Sequence, residues 1–539
     1  MKQSKIIAIL IAVGFLFSLM PLQATNAETH DEVRIQILTR HASTLYSTVY
    51  DAFQESSYAT NLGFDYKIIF KAYDTPLWET AINAGGAEGV HLAWGGGPTT
   101  FDQLIEDGYA KAITDPEILS DVAYLRQNDW INDTIAGSPM FRNGTGADAN
   151  KIFWVGSAIA SFGFTINTGV LENRGIEAPS SWVEIGHPYY YYDDALVAIG
   201  SAQGSTSNTR IYEIIIQKFG WQLGWGIIAM IAGNSGIKPG SAEPLSAVEF
   251  GDVGIANTID FYGFEAELLY ENCKYILPEN ESIVNSDPIM FIENPDATAD
   301  STALANAYMK FILSDEGQAT LLNNQITRMP IRSDAFNAAP TDDSDYSHVE
   351  QLEGIYNTTL NNTGIEFNDT LSLSYLNTMI YYWEAVNNDA STKLREVMKE
   401  AKGAVINPDY NLTNTQLLKL AMALGNPVGD PKVTMDYAIS INSQIKNSET
   451  FRISAMNSWK DASDKKYEEI KEQLKDASAE TDFGISDAKI AGIENPFDIV
   501  DIKAPFYSRP KGVPAFDFII AFFSLFAAIP LYSILTKKK

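Results

Sequence analysis

The chain has 539 residues, of which 45% are hydrophobic and 20% are charged, and its formal net charge is -30. This length predicts more than one domain with a sizeable core. The negative charge argues against nucleic acid as a partner, since phosphate binding needs a basic face. The single cysteine, Cys273, excludes an internal disulfide.

Both ends of the chain are hydrophobic. Residues 1–27 have the pattern of a secretory signal peptide, with two lysines, an apolar stretch and a small-residue cleavage zone. The alternative is an uncleaved membrane anchor, for which the apolar run is short. Residues 518–535 form an almost unbroken apolar run that three lysines follow. This pattern predicts a transmembrane anchor over 514–536 with the body outside the cell. A processing signal like those of archaeal surface proteins is the alternative.

Strands and helices alternate after the signal. Strands are expected at residues 33–40, 66–71 and 90–94, and helices at residues 42–55 and 77–83 and from residue 98 onward. This order predicts an α/β domain built on a parallel sheet with helices on both faces. Because ligands bind beyond the carboxyl ends of such strands, Arg40 and His41 should share a rim with residues 95–99.

A three-glycine turn follows the third strand. Gly95, Gly96 and Gly97 let the backbone approach a ligand closely, since no Cβ is in the way. Pro98 suits the first turn of a helix, where Thr99 adds a hydroxyl. The free N–H groups and positive dipole of a helix N-terminus favour an anion or a polar ligand. A mere strand-to-helix turn is the plainer interpretation.

The middle of the chain continues the pattern. Residues 152–166 predict a long apolar strand, and residues 202–210 a small-residue loop that opens a helix with Ser205 and Thr206. Further strands are expected at residues 251–262 and 289–292. A helix is expected at residues 304–313, and another begins in residues 314–318.

Six short segments, spread between residues 94 and 332, are informative when they are taken together. They are Trp94-Gly95-Gly96-Gly97-Pro98-Thr99, Ser161-Phe162-Gly163, Gly204-Ser205-Thr206, Asn285-Ser286-Asp287-Pro288-Ile289, Phe311-Ile312-Leu313-Ser314-Asp315-Glu316-Gly317-Gln318 and Arg328-Met329-Pro330-Ile331-Arg332. Together they resemble the extracellular solute-binding proteins of ABC importers, which have the type II periplasmic binding protein fold. The relatives that bind iron(III), thiamine or anions are the most similar. The resemblance covers roughly residues 31–405.

The resemblance implies two lobes with a ligand between them. Lobe 1 would comprise residues 31–130 plus 260–405, and lobe 2 residues 131–259. Strands would cross between the lobes near residues 161–167 and 255–262, where hinge bending closes the cleft. Residues 406–513 would form a helical extension and stalk, with helices near 417–424 and 454–476.

The same resemblance implies candidate ligand contacts. Arg40 and His41 would be donors to an anion or carboxylate, although a surface arginine and a structural histidine are equally plain explanations. Ser205 and Thr206 could simply cap their helix. The remaining candidates lie at the crossings: Ser161, Asp260 and Tyr262. The carboxylate of Asp260 could bind a cationic group or a metal, or it could fix the hinge.

Residues 189–192 form a run of four tyrosines. Iron(III) binders of the family use paired tyrosines as phenolate ligands, but neighbouring side chains on a strand point to opposite faces. Packing is therefore the favoured explanation. Seven Asn-X-Ser/Thr sequons make glycosylation of an exported domain plausible; they begin at Asn132, Asn143, Asn280, Asn357, Asn361, Asn368 and Asn411.

These patterns predict a function in transport. The expected protein is the cell-surface substrate-binding component of an ABC import system, which captures a small, anionic solute and delivers it to a membrane permease. It is expected not to be an enzyme and to need no cofactor, because the chain has no Gly-X-Ser-X-Gly elbow, His-Glu-X-X-His motif or P-loop. The alternatives are a ferric-ion binding protein, and an exported enzyme or structural surface protein on the same fold.

Overall fold

The computed structural model describes residues 32–73, 77–128, 130, 134–135, 138–361, 364–407, 411–429 and 433–500. The predicted signal over 1–27 and the predicted anchor over 514–536 lie outside these residues, as does the sequon at Asn132. Across the described ranges, none of the helices combines the length and the apolar character that a membrane crossing requires.

Thirteen strands are described. In chain order they are β1 (Val33–Thr39), β2 (Tyr66–Lys71), β3 (Val90–Trp94), β4 (Ala110–Lys111), β5 (Thr134–Ile135), β6 (Ser138–Pro139), β7 (Phe141–Asn143), β8 (Ile152–Asn167), β9 (Val197–Gly200), β10 (Ser235–Lys238), β11 (Ile255–Ile259), β12 (Cys273–Ile276) and β13 (Val284–Ile292).

The helices connect these strands and continue after the last one. In chain order they are α1 (Ser43–Glu55), α2 (Ser57–Thr60), α3 (Trp78–Asn83), α4 (Pro98–Glu106), α5 (Pro116–Gln127), α6 (Thr168–Arg174), α7 (Trp182–Gly186), α8 (Thr206–Phe219), α9 (Trp221–Asn234), α10 (Ala242–Glu249), α11 (Asp260–Leu269), α12 (Ala299–Leu313), α13 (Asp315–Ala319), α14 (Ala335–Ala338), α15 (Val349–Asn361), α16 (Asp369–Trp383), α17 (Ser391–Val405), α18 (Asn414–Leu424), α19 (Met435–Asn447), α20 (Glu449–Lys475) and α21 (Asp487–Ile490).

One mixed sheet organises these elements, with the strand order β10-β9-β11-β8-β13-β3-β1-β2. Strand β1 pairs in parallel with both β2 and β3, as the alternation of strands and helices predicts. Strand β13 then returns antiparallel to β3 and to β8. The result is an α/β fold with two lobes, in which the carboxyl ends of β1 and β3 lie side by side.

Strand β8 joins the two halves of the sheet. It pairs with β13 up to Ser161, which lies opposite Val284, and with β11 from Phe162, which lies opposite Ile259. The chain therefore changes pairing partner at residues 161–162, inside the segment where the sequence predicted a crossing. The other expected crossing strand, over 251–262, is shorter. It ends at Ile259, and α11 begins at Asp260, whose carboxylate suits a helix N-terminus.

Two large hydrophobic clusters correspond to the two halves. One gathers residues of β1, β3, α1 and α12, and the other gathers residues of β9, α8, α9 and α16 to α20. In the second cluster Trp383 stacks on Tyr212 with ring centroids 4.9 Å apart. Residues from 365 to 405 thus pack with the second half, although the sequence-based division grouped them with residues 31–130.

Helix α20 shows how the extension is attached. Its buried residues Trp459, Tyr467, Ile470 and Leu474 follow helical spacing, so one face is apolar. The Tyr467 hydroxyl donates a hydrogen bond of 3.0 Å to the carbonyl oxygen of Val386. Helix α20 is therefore packed on the body rather than serving as a free stalk. After α21 the chain forms a short 3-10 helix, Pro496–Ile499.

Candidate ligand-binding site

A cavity of about 380 Å³ lies between the two halves, at the carboxyl ends of β1 and β3 and the N-terminus of α8. Eight of the residues that the sequence proposed for ligand binding line it: Arg40, His41, Gly96, Gly97, Thr99, Ser205, Thr206 and Tyr262. Gly95, Ser161 and Asp260 are not among the lining residues. The topology thus brings the proposed rim residues together from four separate stretches of sequence.

The turn at residues 95–97 requires glycines, because of its backbone angles and because of the side chain packed against it. Gly95, Gly96 and Gly97 have φ angles of 76°, 128° and 80°, which residues with a Cβ rarely adopt. A Cβ on Gly95 would lie 2.4 Å from Nε2 of His41. The His41 ring also packs edge-on against Trp94, with centroids 4.5 Å apart. Gly95 therefore leaves room for His41 and does not line the cavity itself.

The amide at the turn already has an acceptor. The N–H of Gly96 donates a hydrogen bond of 3.0 Å to Oδ1 of Asp287. The other carboxylate oxygen of Asp287 accepts a hydrogen bond from Arg328, and both side chains are buried. The Arg328 guanidinium also lies 3.9 Å from the centroid of the Phe261 ring. The protein thus supplies its own anion at Gly96, where the sequence had suggested that a ligand would bind.

His41 adds no positive charge to the cavity. Its Nδ1 lies 3.8 Å from Oδ2 of Asp287, but burial dominates and lowers the pKa of His41 to about 3. The imidazole is therefore neutral at neutral pH, and its role is packing against Trp94 and Gly95.

Arg40 links the two halves. Its Nη1 donates to the carbonyl oxygen of Tyr73, and its Nη2 donates to the carbonyl oxygen of Gly204, both at 3.1 Å. Gly204 belongs to the loop before α8, where Ser205 accepts a hydrogen bond of 3.2 Å from the N–H of Ser207. Ser205 therefore acts as a helix cap, as the plainer explanation held, and it lines the cavity as well.

Ser161 and Asp260 bind each other beside the cavity. Oδ2 of Asp260 accepts hydrogen bonds from the N–H and the hydroxyl of Ser161, at 2.6 and 3.1 Å, and Oδ1 accepts one of 2.7 Å from the N–H of Phe261. Burial raises the pKa of Asp260 to about 7. These contacts hold β8 against the start of α11, so both residues support the crossing of the strands.

Sequence reasoning missed several lining residues. Asn285 and Asp287 stand on β13, and Arg328 follows α13. All three lie within the short pieces that carried the family resemblance, but none was singled out as a contact. The available signal was the presence of Asn285 and Asp287 within a fully buried strand, because such a strand tolerates these groups only when they have partners.

The charge of the lining differs from that of the chain. Acidic residues outnumber basic ones in the sequence by 68 to 38, whereas basic side chains are at least as numerous as carboxylates around the cavity. The basic lining residues are Arg40, Arg210, Arg328, Lys446 and Arg452. The acidic ones are Glu79, Asp107, Glu213 and Asp287.

Some buried polar atoms of the lining have no protein partner. Within the part of the chain that the structure describes, Thr99 Oγ1, Asn285 Oδ1 and Arg328 Nε lack a hydrogen bond. A buried polar atom without a partner costs free energy. A polar ligand in the cavity can satisfy such atoms, so they add to its candidacy as a binding site.

The four-tyrosine run lies elsewhere. Tyr189, Tyr190 and Tyr191 are buried in the second hydrophobic cluster and do not line the cavity. Nζ of Lys402 lies 3.5 Å from the ring centroid of Tyr192. Among the residues with described positions, no three His, Cys, Asp or Glu side chains are grouped so that they could hold a metal ion.

Comparison with known proteins gives two curated relatives. Both are named phosphoglycerate transport regulatory protein PgtC, one from Salmonella typhimurium and one from Salmonella typhi, and each is 26% identical over 182 residues. The match covers 33% of this chain, and the chain spans 43% of the length of each relative.

Solved structures that are similar to this chain include the periplasmic binding protein AfuA and the protein HitA. AfuA from Actinobacillus pleuropneumoniae, with fructose-6-phosphate bound, is 16% identical, with a TM-score of 0.45 over 61% of this chain and 98% of its own. Iron-bound HitA from Pseudomonas aeruginosa is 15% identical, with a TM-score of 0.43 over 60% of this chain and 99% of its own.

A family model matches part of the chain. The model described as bacterial extracellular solute-binding protein matches residues 97–349, from the third glycine of the turn to the start of α15. This span contains α4, β8, the capping loop of α8, β13 and Arg328, which together supply most of the cavity. Residues 97–349 of this chain are therefore similar to the bacterial extracellular solute-binding proteins.

Proposed function

We propose that this protein is the solute-binding component of an ABC import system, which captures a small anionic solute between its two lobes and delivers it to a membrane permease. The observation that carries the proposal is the cavity itself. Residues of the loop after β1, the glycine turn, α8 and β13 converge on it from both halves of the sheet. Its volume of about 380 Å³ is in the range of small-molecule sites.

The charges around the cavity support an anion. Arg40 presents a planar guanidinium suited to carboxylate or phosphate, and α8 presents its N-terminus next to it. Thr99 at the start of α4 adds a hydroxyl. Because Asp287 already accepts the N–H of Gly96, the anion would contact Arg40 and the start of α8 rather than that amide.

A ferric-ion binding protein is the second candidate. Fe3+ is a hard cation that prefers oxygen ligands, and Asp287 and Tyr262 offer such oxygens at the cavity. However, Asp287 is paired with Arg328, and a cation would have to compete with that guanidinium. The lining therefore favours an anion over a bare cation.

An exported enzyme or a structural surface protein on the same fold belongs to a different class. A turnover screen in which the protein converts a bound compound would favour the enzyme. Absence of any ligand in a broad binding screen would favour the structural protein.

The proposal places the body outside the membrane. The domain family is extracellular, and the apolar run at 518–535 with its following lysines would anchor the chain as a single-pass protein. Protease added to intact cells should then remove most of the protein. Survival of the whole body under this treatment would contradict the topology.

A thermal-shift screen of the purified full-length chain tests the binding function. A ligand stabilises the folded state by mass action, so a rise in melting temperature identifies it. The panel contains 3-phosphoglycerate, because the curated relatives are named for phosphoglycerate transport, together with inorganic phosphate, Fe3+, thiamine, sugars and amino acids. A shift with an anion supports the proposal. A shift with Fe3+ alone supports the second candidate.

A further inference from the structure

The helices that follow residue 405 reach the cavity. Lys446 at the end of α19 and Arg452 in the first turns of α20 are lining residues. The preceding helix α16 contributes four more: Leu376, Asn377, Ile380 and Tyr381. The cavity thus has a third wall, made by a part of the chain that lies beyond the matched family domain.

This third wall is held firmly. The N–H of Thr378 on α16 donates to Oδ1 of Asn442 on α19 at 3.1 Å, and its hydroxyl donates to the carbonyl oxygen of Ala438 at 2.8 Å. Thr378 is fully buried. Helix α16 packs in turn against α4, the helix that the glycine turn begins. The position of α19 and α20 is therefore fixed relative to the cavity.

An ion pair connects the extension to the first half of the sheet. Nζ of Lys446 lies 2.6 Å from Oδ2 of Asp107, which follows the last residue of α4. Both side chains are partly exposed, and both line the cavity. The charge of Lys446 is thus used within the protein, as are those of Arg328 with Asp287 and Arg210 with Asp369.

Arg452 is held differently. Its Nη1 donates to the carbonyl oxygens of Ile445 and Lys446, at 3.2 and 3.4 Å, where α19 ends. Its guanidinium lies 4.9 Å from the ring centroid of Tyr381. Across the described residues no carboxylate forms an ion pair with it. A guanidinium has five N–H donors, so Arg452 is oriented by backbone and ring while further donors stay available to a ligand.

We propose that Arg452 is a ligand-binding residue and that the solute carries two separate acidic groups, one near Arg40 and the start of α8 and one near Arg452. This inference rests on the proposed binding function. It follows from the two cationic positions on one cavity, contributed by the loop after β1 and by α20. A solute with a single acidic group could reach only one of these positions.

Titration calorimetry of the full-length chain with two probes tests the assignment. 3-Phosphoglycerate carries a phosphate and a carboxylate, whereas inorganic phosphate carries one group. Arg452→Gln should weaken binding of 3-phosphoglycerate by about tenfold or more, the loss of a hydrogen bond to a charged group. Its effect on inorganic phosphate should be much smaller. Lys460→Gln, on the same helix and outside the lining, is the matched control and should change neither affinity.

The possible outcomes distinguish this inference from the proposed binding function. Binding of both probes with an unchanged 3-phosphoglycerate affinity in Arg452→Gln would overturn this inference and leave the binding function standing. An equal loss for both probes would overturn the assignment of two acidic groups. If the wild type binds neither probe nor any other anion of the panel, the proposed anion-binding function fails, and the inference fails with it. Arg452→Lys keeps the positive charge but lacks the planar fork of the guanidinium. If Arg452→Gln does not fold, Arg452→Lys takes its place and must show an intermediate loss of affinity for 3-phosphoglycerate.

Discussion

Arg40 and Gly204 are joined across the cavity by a hydrogen bond of 3.1 Å, from Nη2 of the arginine to the carbonyl oxygen of the glycine. Arg40 follows the first strand, and Gly204 precedes α8, so this bond connects the two halves of the molecule. The same guanidinium lines the cavity. One side chain thus serves both the contact between the lobes and the proposed contact with the solute.

Replacing Arg40 by alanine should weaken anion binding. The expected loss is about 1.5–3 kcal/mol if the guanidinium makes one charge-assisted hydrogen bond to the solute. Titration calorimetry with the anion found in the screen measures it. Arg34→Ala, on the strand that Arg40 follows, is the control, because Arg34 pairs with Glu32 at the surface and does not line the cavity. Equal affinity of wild type and Arg40→Ala would remove Arg40 from the site.

Gly95→Ala should destabilise the fold more than Gly63→Ala. Both glycines have a positive φ, 76° and 74°, so both variants incur the strain of that conformation, about 1–3 kcal/mol. Only at Gly95 would the new Cβ collide with His41, while nothing lies within 4 Å of a Cβ at Gly63. Urea unfolding of both variants gives the difference in free energy of unfolding. Equal losses would show that the His41 ring moves away without cost.

Asp287→Asn should destabilise the protein strongly. The substitution leaves the buried guanidinium of Arg328 without its carboxylate, and breaking a buried pair in this way costs about 3–5 kcal/mol. Asp194→Asn is the control, because it breaks a pair with Arg174 in which the Asp194 side chain is 67% exposed, and such pairs contribute about 0–1 kcal/mol. The free energy of unfolding in urea measures both. Similar losses in the two variants would contradict the buried pairing.

Glu281 should make the stability depend on pH. Burial raises the pKa of its carboxyl from 4.5 to about 7, while Oε2 accepts a hydrogen bond of 2.9 Å from the N–H of Trp182. Between these two pH values the folded state holds a proton that the unfolded state has released. The contribution of this group to stability therefore falls as pH rises from about 4.5 to 7.

Glu281→Gln tests this dependence. The amide oxygen can still accept the N–H of Trp182, but the side chain no longer ionises. The variant should lose less stability than the wild type between pH 5 and pH 8, by about 1–3 kcal/mol. Free energies of unfolding at the two pH values give the slopes. Parallel slopes would show that Glu281 titrates near its ordinary pKa in the folded protein.

The local sequence determined the first half of the fold well. The alternation of apolar runs and turn signals located β1, β2, β3 and the start of α4 within one residue, because hydrophobic period and helix-breaking residues act over a few positions. The same reasoning placed Arg40 and the glycine turn on one rim, since parallel strands end at the same edge. The short pieces between residues 94 and 332 indicated the domain family.

Only the tertiary structure decided what the site residues contact. The N–H of Gly96 donates to the carboxylate of Asp287, which lies 191 residues further along the chain. The ammonium group of Lys446 donates to the carboxylate of Asp107, which lies 339 residues away. No local pattern encodes such pairs, because they depend on which buried charges find partners as the sheet and helices pack. The place of the last helices was decided in the same way. The apolar face of α20 predicts burial, but only packing against α17, α19 and α16 selected the surface that it covers, and this packing brings Arg452 to the cavity.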